Sequence, residues 1–205
     1  MNNIIPNSDL SHYSFLYVGL ASIIAFSLVL ANKFYETKGL VNRDPLTRLF
    51  NRRYFNDIAE KYFATEERNH NGLSAIVLDI DKFKSVNQIY GQVVGDDVLV
   101  IISDILRMHS RDSDIPVRMG GAEFMVLFPE TSLENAQIIA ERIRLKVEDT
   151  IIEDRKKNLI KITVSIGVSQ VRNGIDTSIE RTIQRADEAL YGAKRDGRNQ
   201  VKVLT

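Results

Sequence analysis

The sequence predicts an α+β sandwich in which helices pack against a mainly antiparallel sheet. Two apolar runs flank the Gly120–Gly121 pair, a pattern typical of a β-hairpin whose turn needs positive φ. Helical patterns with apolar residues three and four positions apart are interleaved with short apolar strands. The resulting order is helix, strand, helices, hairpin, helix, strand, helix. That order favours helices packed on a sheet.

Composition limits the chemistry that the chain can perform. A chain of 205 residues with 44% hydrophobic content suffices for one ordinary domain plus an appendage. The 27 basic residues balance the 27 acidic ones, so no nucleic-acid partner is indicated. Cysteine is absent and there are three scattered histidines. Oxygen-ligated metals such as Mg²⁺ are therefore favoured over zinc.

Residues 13–31 predict a transmembrane helix. This segment carries no charge over nearly the ~20 residues that a helix needs to cross a bilayer. A secretory signal is an alternative, although residues 1–12 lack the basic region that such signals use. A buried helix is a further alternative.

The charges around this segment predict its orientation. Lys33, Lys38 and Arg43 follow it, whereas no Lys or Arg precedes it. The positive-inside rule places the C-terminal bulk in the cytoplasm and residues 1–12 outside the membrane. Residues 32–43 form a polar linker to a domain over 44–205.

The first half of the domain is predicted as follows. Asp44–Pro45 is a favourable N-cap and first-turn pair for a helix. Arg52–Arg68 has apolar residues at helical spacing. Leu73–Asp81 is a buried strand that ends in two acids. An amphipathic helix spans Val98–Leu106 and leads into the hairpin of 115–128.

The second half contains two helices and a strand between them. Thr131–Glu134 and Thr177–Glu180 are capping boxes, and each precedes an apolar helical pattern. Lys161–Val168 alternates as a half-buried strand. Gln200–Leu204 is a candidate for a closing edge strand.

Acidic residues suggest a site at the end of the first long strand. Asp79 lies in a buried apolar run, where a carboxylate is costly unless it is paired or binds a metal. Asp81 either shares that face of the sheet or caps the next helix. If the strand lies beside the hairpin, Asp79, the backbone at Ile80 and Glu123 face one cleft. Such a cleft would suit a Mg²⁺-bound triphosphate. Candidate phosphate contacts are Lys84, Lys194 and Arg198.

Six segments together resemble the diguanylate cyclase family, the GGDEF domain. The segments are Asp44–Arg53, Asp79–Asn87, Gly95–Leu99, Gly120–Phe124, Ser165–Gly167 and Ala186–Asn199. The resemblance covers nearly everything from Asp44 to Val203. It implies a ferredoxin-like sandwich of the nucleotide-cyclase palm type.

The resemblance also implies an activity. The family joins two GTP molecules into cyclic di-GMP, with one half-site on each subunit of a homodimer. The positions that match the metal ligands, for Mg²⁺ or Mn²⁺, are Asp79 and the carbonyl of Ile80. Asn87 and Asp96 match the residues that read guanine. The positions that match the phosphate contacts are Lys84, Lys194 and Arg198.

A second nucleotide site is implied just before the hairpin. Arg111 and Asp114 stand at the family's product-inhibition motif, Arg-x-x-Asp, and Arg142 matches a further arginine of that site. A planar guanidinium can grip a phosphate with two hydrogen bonds or stack on guanine. Without the resemblance, residues 111–114 would be only a polar turn.

The sequence departs from the family at the hairpin turn. The third signature position, where the family has Asp or Glu, is Ala122. That acid is expected to bind metal and to assist deprotonation of the attacking hydroxyl, and a methyl group does neither. Glu123, the next residue, is a candidate to compensate as a metal ligand or catalytic acid. Gln88 and Gln92 are lesser departures in the guanine pocket.

Three functions remain open from sequence. The favoured hypothesis is a degenerate member on the bacterial inner membrane that binds cyclic di-GMP, GTP or both through its cytoplasmic GGDEF domain. The second is an active diguanylate cyclase that converts two GTP into cyclic di-GMP and two pyrophosphates. The third is a membrane scaffold without nucleotide function.

Overall fold

The computed structural model describes residue 17 and residues 20–27, 42–154 and 156–205. Residue 17 and residues 20–27 are helical and exposed. Within these described ranges, no helix has the length and apolar character needed to cross a membrane. Residues 13–16, 18, 19 and 28–31 of the predicted transmembrane segment, 13–31, lie outside the described residues. Residues 42–205 form a unit of their own.

This unit consists of five helices and eight strands within the described ranges. The helices are α1 (Arg52–Asn69), α2 (Phe83–Tyr90), α3 (Gln92–Met108), α4 (Leu133–Asp149) and α5 (Ile179–Arg195). The strands are β1 (Phe50–Asn51), β2 (Leu73–Ile80), β3 (Ile115–Gly120), β4 (Glu123–Pro129), β5 (Ile151–Glu153), β6 (Leu159–Lys161), β7 (Val164–Gln170) and β8 (Val201–Val203).

A six-stranded sheet with the order β1-β3-β4-β2-β7-β8 forms the centre of the domain. The inner pairs β3–β4, β4–β2 and β2–β7 are antiparallel, whereas the edge strands β1 and β8 pair in parallel. The prediction of a mainly antiparallel sheet is therefore confirmed. A separate two-stranded ribbon joins β5 and β6.

Helices cover both faces of the sheet. On one face, Phe55, Ala59 and Phe63 of α1 share a buried cluster with α5 and with Ala75 and Val77 of β2. Their spacing of four residues places them on one side of the helix. On the other face, Ile76 and Leu78 of β2 join a cluster with α2, α3 and α4. Strand β2 is thus buried on both faces, which explains its continuous apolar sequence.

Helix α5 approaches the sheet closely at Gly167 of β7. A Cβ atom at this position would lie 1.9 Å from the carbonyl oxygen of Ala186 and 2.4 Å from the backbone nitrogen of Leu190, both in α5. Only a residue without a side chain allows α5 to approach this strand so closely.

Some sequence predictions of local structure are wrong. Asp44 caps a turn, not a helix: its Oδ1 accepts from the backbone N–H and the hydroxyl of Thr47 at 2.8 and 2.7 Å. The strand predicted over Lys161–Val168 is broken, because Ile162 and Thr163 separate β6 from β7. The two predicted capping boxes begin one residue early, since the N-caps are Ser132 and Ser178 and not Thr131 and Thr177.

Candidate functional site

Two carboxylates face each other where β2 and β4 pair. Asp79 and Glu123 are direct partners in the antiparallel register, as the sequence hypothesis required. Asp79 also forms an ion pair with Lys194 of α5, with 3.2 Å between Nζ and Oδ1. Burial raises the pKa of Asp79, and the Lys194 ammonium opposes this while Glu123 adds to it. The carboxylates of Asp79 and Glu123 therefore lie together beside one cation, the Lys194 ammonium.

The hairpin turn places Ala122 next to these acids. Gly120 and Gly121 have φ values of 141° and 54°, so the predicted positive-φ turn is confirmed. The Ala122 carbonyl accepts a 3.4 Å hydrogen bond from the N–H of Ile80, which ties the turn to the end of β2. The half-buried methyl of Ala122 therefore occupies the position where a carboxylate would extend the acidic group.

Arg118 braces this turn, a role that the sequence reasoning missed. Its Nε and Nη2 donate to the carbonyl oxygen of Gly121 at 3.3 and 3.0 Å. Its Nη1 donates to Asp44 Oδ1 at 3.0 Å. Hydrogen bonds from Thr47 and Arg118 outweigh burial and lower the pKa of Asp44. The hydrogen bond from Arg118 explains why Asp44, which lies 74 residues away in sequence, belongs to the same site.

The Asp81 carboxylate is bound within the fold rather than beside Asp79, and it does not cap α2 either. Its carboxylate is buried and accepts from the hydroxyls of Thr163 and Ser165, each at 2.7 Å. It also accepts from the backbone N–H of Asn199 at 3.0 Å. The residue before α2 is Lys82, whose side chain makes no capping bond. Asp81 is instead a structural link between β2, β7 and the loop after α5.

Asp187 is a further acid at the site that the sequence reasoning did not single out. It lies seven residues before Lys194 in α5, so both side chains lie on the same side of the helix. Asp187 is exposed, yet partial loss of solvation and the Glu123 charge both raise its pKa, against the effect of Lys194. The spacing of seven residues between Asp187 and Lys194 was the sequence signal that could have placed both side chains at one site.

The candidate phosphate contacts lie around the N-terminus of α2 and the loop after α5. Lys84 is exposed in the first turn of α2. Arg198 adopts a left-handed backbone with φ of 68°. A cleft of about 560 Å³ lies between these elements, and its lining includes Lys82, Lys161 and Arg198. Asp81 and Glu148 also line this cleft, whereas Lys84 and Lys194, the other two candidate phosphate contacts, do not.

The two candidate guanine contacts are neighbours across α2 and α3. Asn87 packs against Gly95, where a Cβ atom would lie 1.8 Å from Asn87 Oδ1. Asp96, half-buried, follows directly in α3. Asn87 Oδ1 is buried and has no hydrogen-bond partner within the described part of the chain. A buried acceptor without a partner is unfavourable, so it suits a ligand N–H such as guanine offers.

Two carboxylates are sufficient to hold Mg²⁺ when a substrate supplies phosphate oxygens. Asp79 and Glu123 provide them here, with the backbone of Ile80 adjacent. No group of three or more His, Cys, Asp or Glu side chains is placed to hold a metal ion anywhere in the described ranges. Mg²⁺ or Mn²⁺ would therefore depend on the nucleotide for its remaining ligands.

A second pocket of about 440 Å³ contains the Arg-x-x-Asp motif. The motif forms a turn in which the Arg111 N–H donates to Asp114 Oδ2 at 2.7 Å. Asp114 is buried, whereas the Arg111 side chain is exposed. Arg142 of α4 lines the same pocket and donates to the His109 carbonyl at 3.4 Å. The structure thus brings Arg111, Asp114 and Arg142 together.

These features define a class of protein: an α+β domain with a pair of carboxylates at the end of its central strand and a separate arginine-lined pocket. The family model described as "Diguanylate cyclase, GGDEF domain" matches residues 41–200. The chain belongs to this family.

Curated relatives agree with this assignment. The chain is 39% identical over 163 residues to "Diguanylate cyclase DosC" of Escherichia coli, covering 80% of this chain and 35% of that protein. It is 38% identical over 175 residues to "Response regulator PleD" of Caulobacter vibrioides, covering 84% of this chain and 38% of that protein. The chain thus spans little more than a third of the length of these relatives.

Solved structures are similar as well. The coiled coil and GGDEF domain of DgcB from Caulobacter crescentus, solved in complex with c-di-GMP, superposes with a TM-score of 0.86. The identity is 31%, over 92% of this chain and 99% of that one. The "active GGEEF domain of a diguanylate cyclase from Vibrio cholerae" gives a TM-score of 0.71 at 33% identity, over 76% of this chain and 97% of that one.

Proposed function

We propose that this protein is a receptor of cyclic di-GMP whose GGDEF domain retains a GTP site but has little cyclase activity. The observation that carries the proposal is the pocket formed by Arg111, Asp114 and Arg142, present in a chain whose hairpin has Ala122 in place of an acid.

The geometry of this pocket suits a ligand with two guanines and two phosphates. Arg111 is exposed, and its backbone is held by Asp114, so its guanidinium is free to pair with phosphate or guanine. Arg142 approaches from a different element, which allows the ligand to be held from two sides. The related DgcB domain was solved in complex with c-di-GMP, which supports the same ligand class here.

The cyclase reaction places a demand that Ala122 does not meet. In each half-reaction, a ribose 3′-hydroxyl of one GTP attacks the α-phosphorus of the other and pyrophosphate leaves. The attacking hydroxyl must lose its proton. Asp79 and Glu123 are available to hold Mg²⁺, which would neutralise the developing phosphate charge. A group that accepts the proton typically contributes ~10²–10⁴-fold to the rate, and position 122 supplies none.

An active cyclase is the second candidate, because Glu123 lies directly across from Asp79 with Asp187 nearby. One of these acids could serve as the proton acceptor. The relatives named diguanylate cyclases favour this alternative.

The receptor proposal is tested by calorimetric titration of cyclic di-GMP into the full chain. We expect binding that Arg111→Ala weakens by roughly 10–100-fold, because hydrogen bonds to charged groups contribute ~1.5–3 kcal/mol. Arg107→Ala is the matched control: Arg107 is exposed one turn earlier, pairs with Asp104 and does not line the pocket. Absence of binding by the unmutated chain would refute the receptor function and leave the active-cyclase and scaffold hypotheses.

The proposal includes attachment to the bacterial inner membrane through residues 13–31, with the domain in the cytoplasm acting as a homodimer. The uncharged sequence of this segment and the basic residues after it support the attachment. Membrane fractionation of the full chain beside residues 32–205 tests it. Recovery of both in the soluble fraction would contradict the anchor, and analytical ultracentrifugation of residues 32–205 would test the dimer.

A further inference from the structure

The loop after α5 has an unusual backbone where it presents Arg198. Arg198 and Asn199 are consecutive non-glycine residues with positive φ, 68° and 45°. This region is unfavourable for residues that carry a Cβ atom. Such conformations persist where surrounding contacts impose them, and they occur often at functional sites.

Asn199 is held from three directions. Its backbone N–H donates to Asp81 Oδ2 at 3.0 Å. Its side-chain Oδ1 accepts from Nη1 of Arg144 at 2.8 Å, and its Nδ2 donates to Oε1 of Glu148 at 2.8 Å. Arg144 and Glu148 are one turn apart in α4. The loop is therefore fixed between the end of β2 and the last turns of α4.

Arg144 is itself rigidly placed. Its Nη2 donates to Glu141 at 2.7 Å, and its Nη1 donates to Glu148 Oε2 at 2.8 Å as well as to Asn199. The Arg144 side chain is 11% exposed, although the Glu141 and Glu148 side chains are 45% and 42% exposed. The hydrogen bonds that Arg144 donates to Glu141 raise the pKa of Arg144, which stays charged. Arg144 does not line the cleft of Arg198.

We propose that Arg144 is a positioning residue for nucleotide phosphate binding: through Asn199, it holds the backbone that presents the Arg198 guanidinium to the cleft. The inference rests on the GTP site of the proposed function, and it adds to that site a residue, Arg144, that lies outside the cleft. A purely structural role is the competing explanation. Packing of α4 does not require the bond to Asn199, because Ala136, Ala140, Ile143 and Val147 already bury its apolar side.

A double-mutant cycle separates the two explanations. The probe is the α,β-methylene analogue of GTP, which cannot be cyclised, titrated with Mg²⁺ into the full chain. Arg144→Met keeps most of the side-chain volume but removes the guanidinium. We expect it to weaken analogue binding about tenfold when Arg198 is present and to have almost no effect in the Arg198→Ala background. Lys146→Met, an exposed change on the same helix, should leave the affinity unaltered.

Asn199→Gly provides a second variant that leaves α4 intact. Glycine adopts positive φ readily, so the loop can keep its course while losing both side-chain anchors. We expect weaker analogue binding from this variant, and no further loss when Arg144→Met is added to it. Cyclic di-GMP titration should be unchanged in both variants.

Several results would overturn the inference. Equal losses from Arg144→Met with and without Arg198 would assign Arg144 a structural role only. Unchanged analogue affinity in Arg144→Met, or no analogue binding by the unmutated chain, would also overturn it. The receptor proposal would survive these outcomes, because cyclic di-GMP binding is measured separately. Conversely, the double-mutant cycle could give the expected coupling between Arg144 and Arg198 while cyclic di-GMP fails to bind. That result would refute the receptor role alone.

Discussion

Ala122 is the residue on which the catalytic state of the domain depends. Its backbone is in place, because its carbonyl accepts from the N–H of Ile80 and Arg118 braces the preceding glycine. The neighbouring acids Asp79 and Glu123 are in register. The site therefore lacks one functional group while its scaffold is preserved. Such a defect should be reversible by a single substitution.

We predict that Ala122→Glu raises GTP turnover by at least about 10²-fold over the unmutated chain, since it restores a proton acceptor beside the metal position. Chromatography of nucleotides after incubation with GTP and Mg²⁺ measures cyclic di-GMP formation. Ala122→Gln is the matched control, with nearly the same shape but no basic carboxylate, and it should remain slow. Steady production by the unmutated chain would instead favour the active-cyclase alternative.

The packing of α5 against β7 decides how the phosphate-binding end of the domain is built. Helix α5 carries Asp187 and Lys194 and leads into the Arg198 loop. Its approach to the sheet is limited by Gly167, where backbone atoms of α5 occupy the space of a side chain. The position of the candidate phosphate contacts thus depends on a glycine that contacts no ligand.

We predict that Gly167→Ala destabilises the domain by about 1–3 kcal/mol or more, because the new methyl would overlap the α5 backbone, which cannot move alone. Gly192→Ala is the control in α5 itself. There a Cβ atom would lie 3.3 Å from the flexible Lys202 side chain, and alanine favours helix by roughly 1 kcal/mol. Urea unfolding measures both, and equal stability of the two variants would contradict this packing.

A buried ion pair fixes the other end of α5. Arg185 donates to both carboxylate oxygens of Asp176, each at 2.7 Å, and the Asp176 side chain is 1% exposed. Burial alone would raise the pKa of Asp176, but the bonds from Arg185 and from the Arg172 N–H lower it overall. Removing one member of such a pair leaves an uncompensated charge in the interior.

We predict that Asp176→Asn costs about 3–5 kcal/mol of unfolding free energy near neutral pH. Because the folded-state pKa lies below the unfolded value of about 3.9, the stabilisation is complete above about pH 5 and is lost as pH falls through the folded pKa. Urea unfolding of both proteins at several pH values measures the difference. If the difference in unfolding free energy between the two proteins stayed constant as pH fell well below 4, the pH-dependent stabilisation would not come from the Asp176 carboxylate.

At the scale of the whole domain, local sequence patterns predicted local structure well. The Gly-Gly hairpin and the helices α1, α3, α4 and α5 were predictable because each pattern repeats within a few residues. The break between β6 and β7 was not predictable, because apolar alternation continues through Ile162. The hydrogen-bond partners of Asp81 were not predictable either, since they lie 82, 84 and 118 residues away in sequence. Likewise, nothing local predicts that Arg198 adopts a left-handed backbone.

The two candidate nucleotide pockets have separate linings, with no residue in common between the cleft of Arg198 and the pocket of Arg111. Two ligands that occupy different sites stabilise a folded protein together more than either does alone. A single shared site would instead make them compete. Thermal unfolding of the whole chain can therefore distinguish one site from two.

We predict that cyclic di-GMP and the α,β-methylene analogue of GTP, each at about 100 times its dissociation constant, raise the midpoint of thermal unfolding by roughly 5–10 °C apiece and by more when combined. Arg111→Ala should reduce only the cyclic di-GMP shift, and Arg198→Ala only the analogue shift. A combined shift no larger than the greater single one would mean that both ligands use the same pocket. In that case the separate cyclic di-GMP site, and the receptor function built on it, would be wrong.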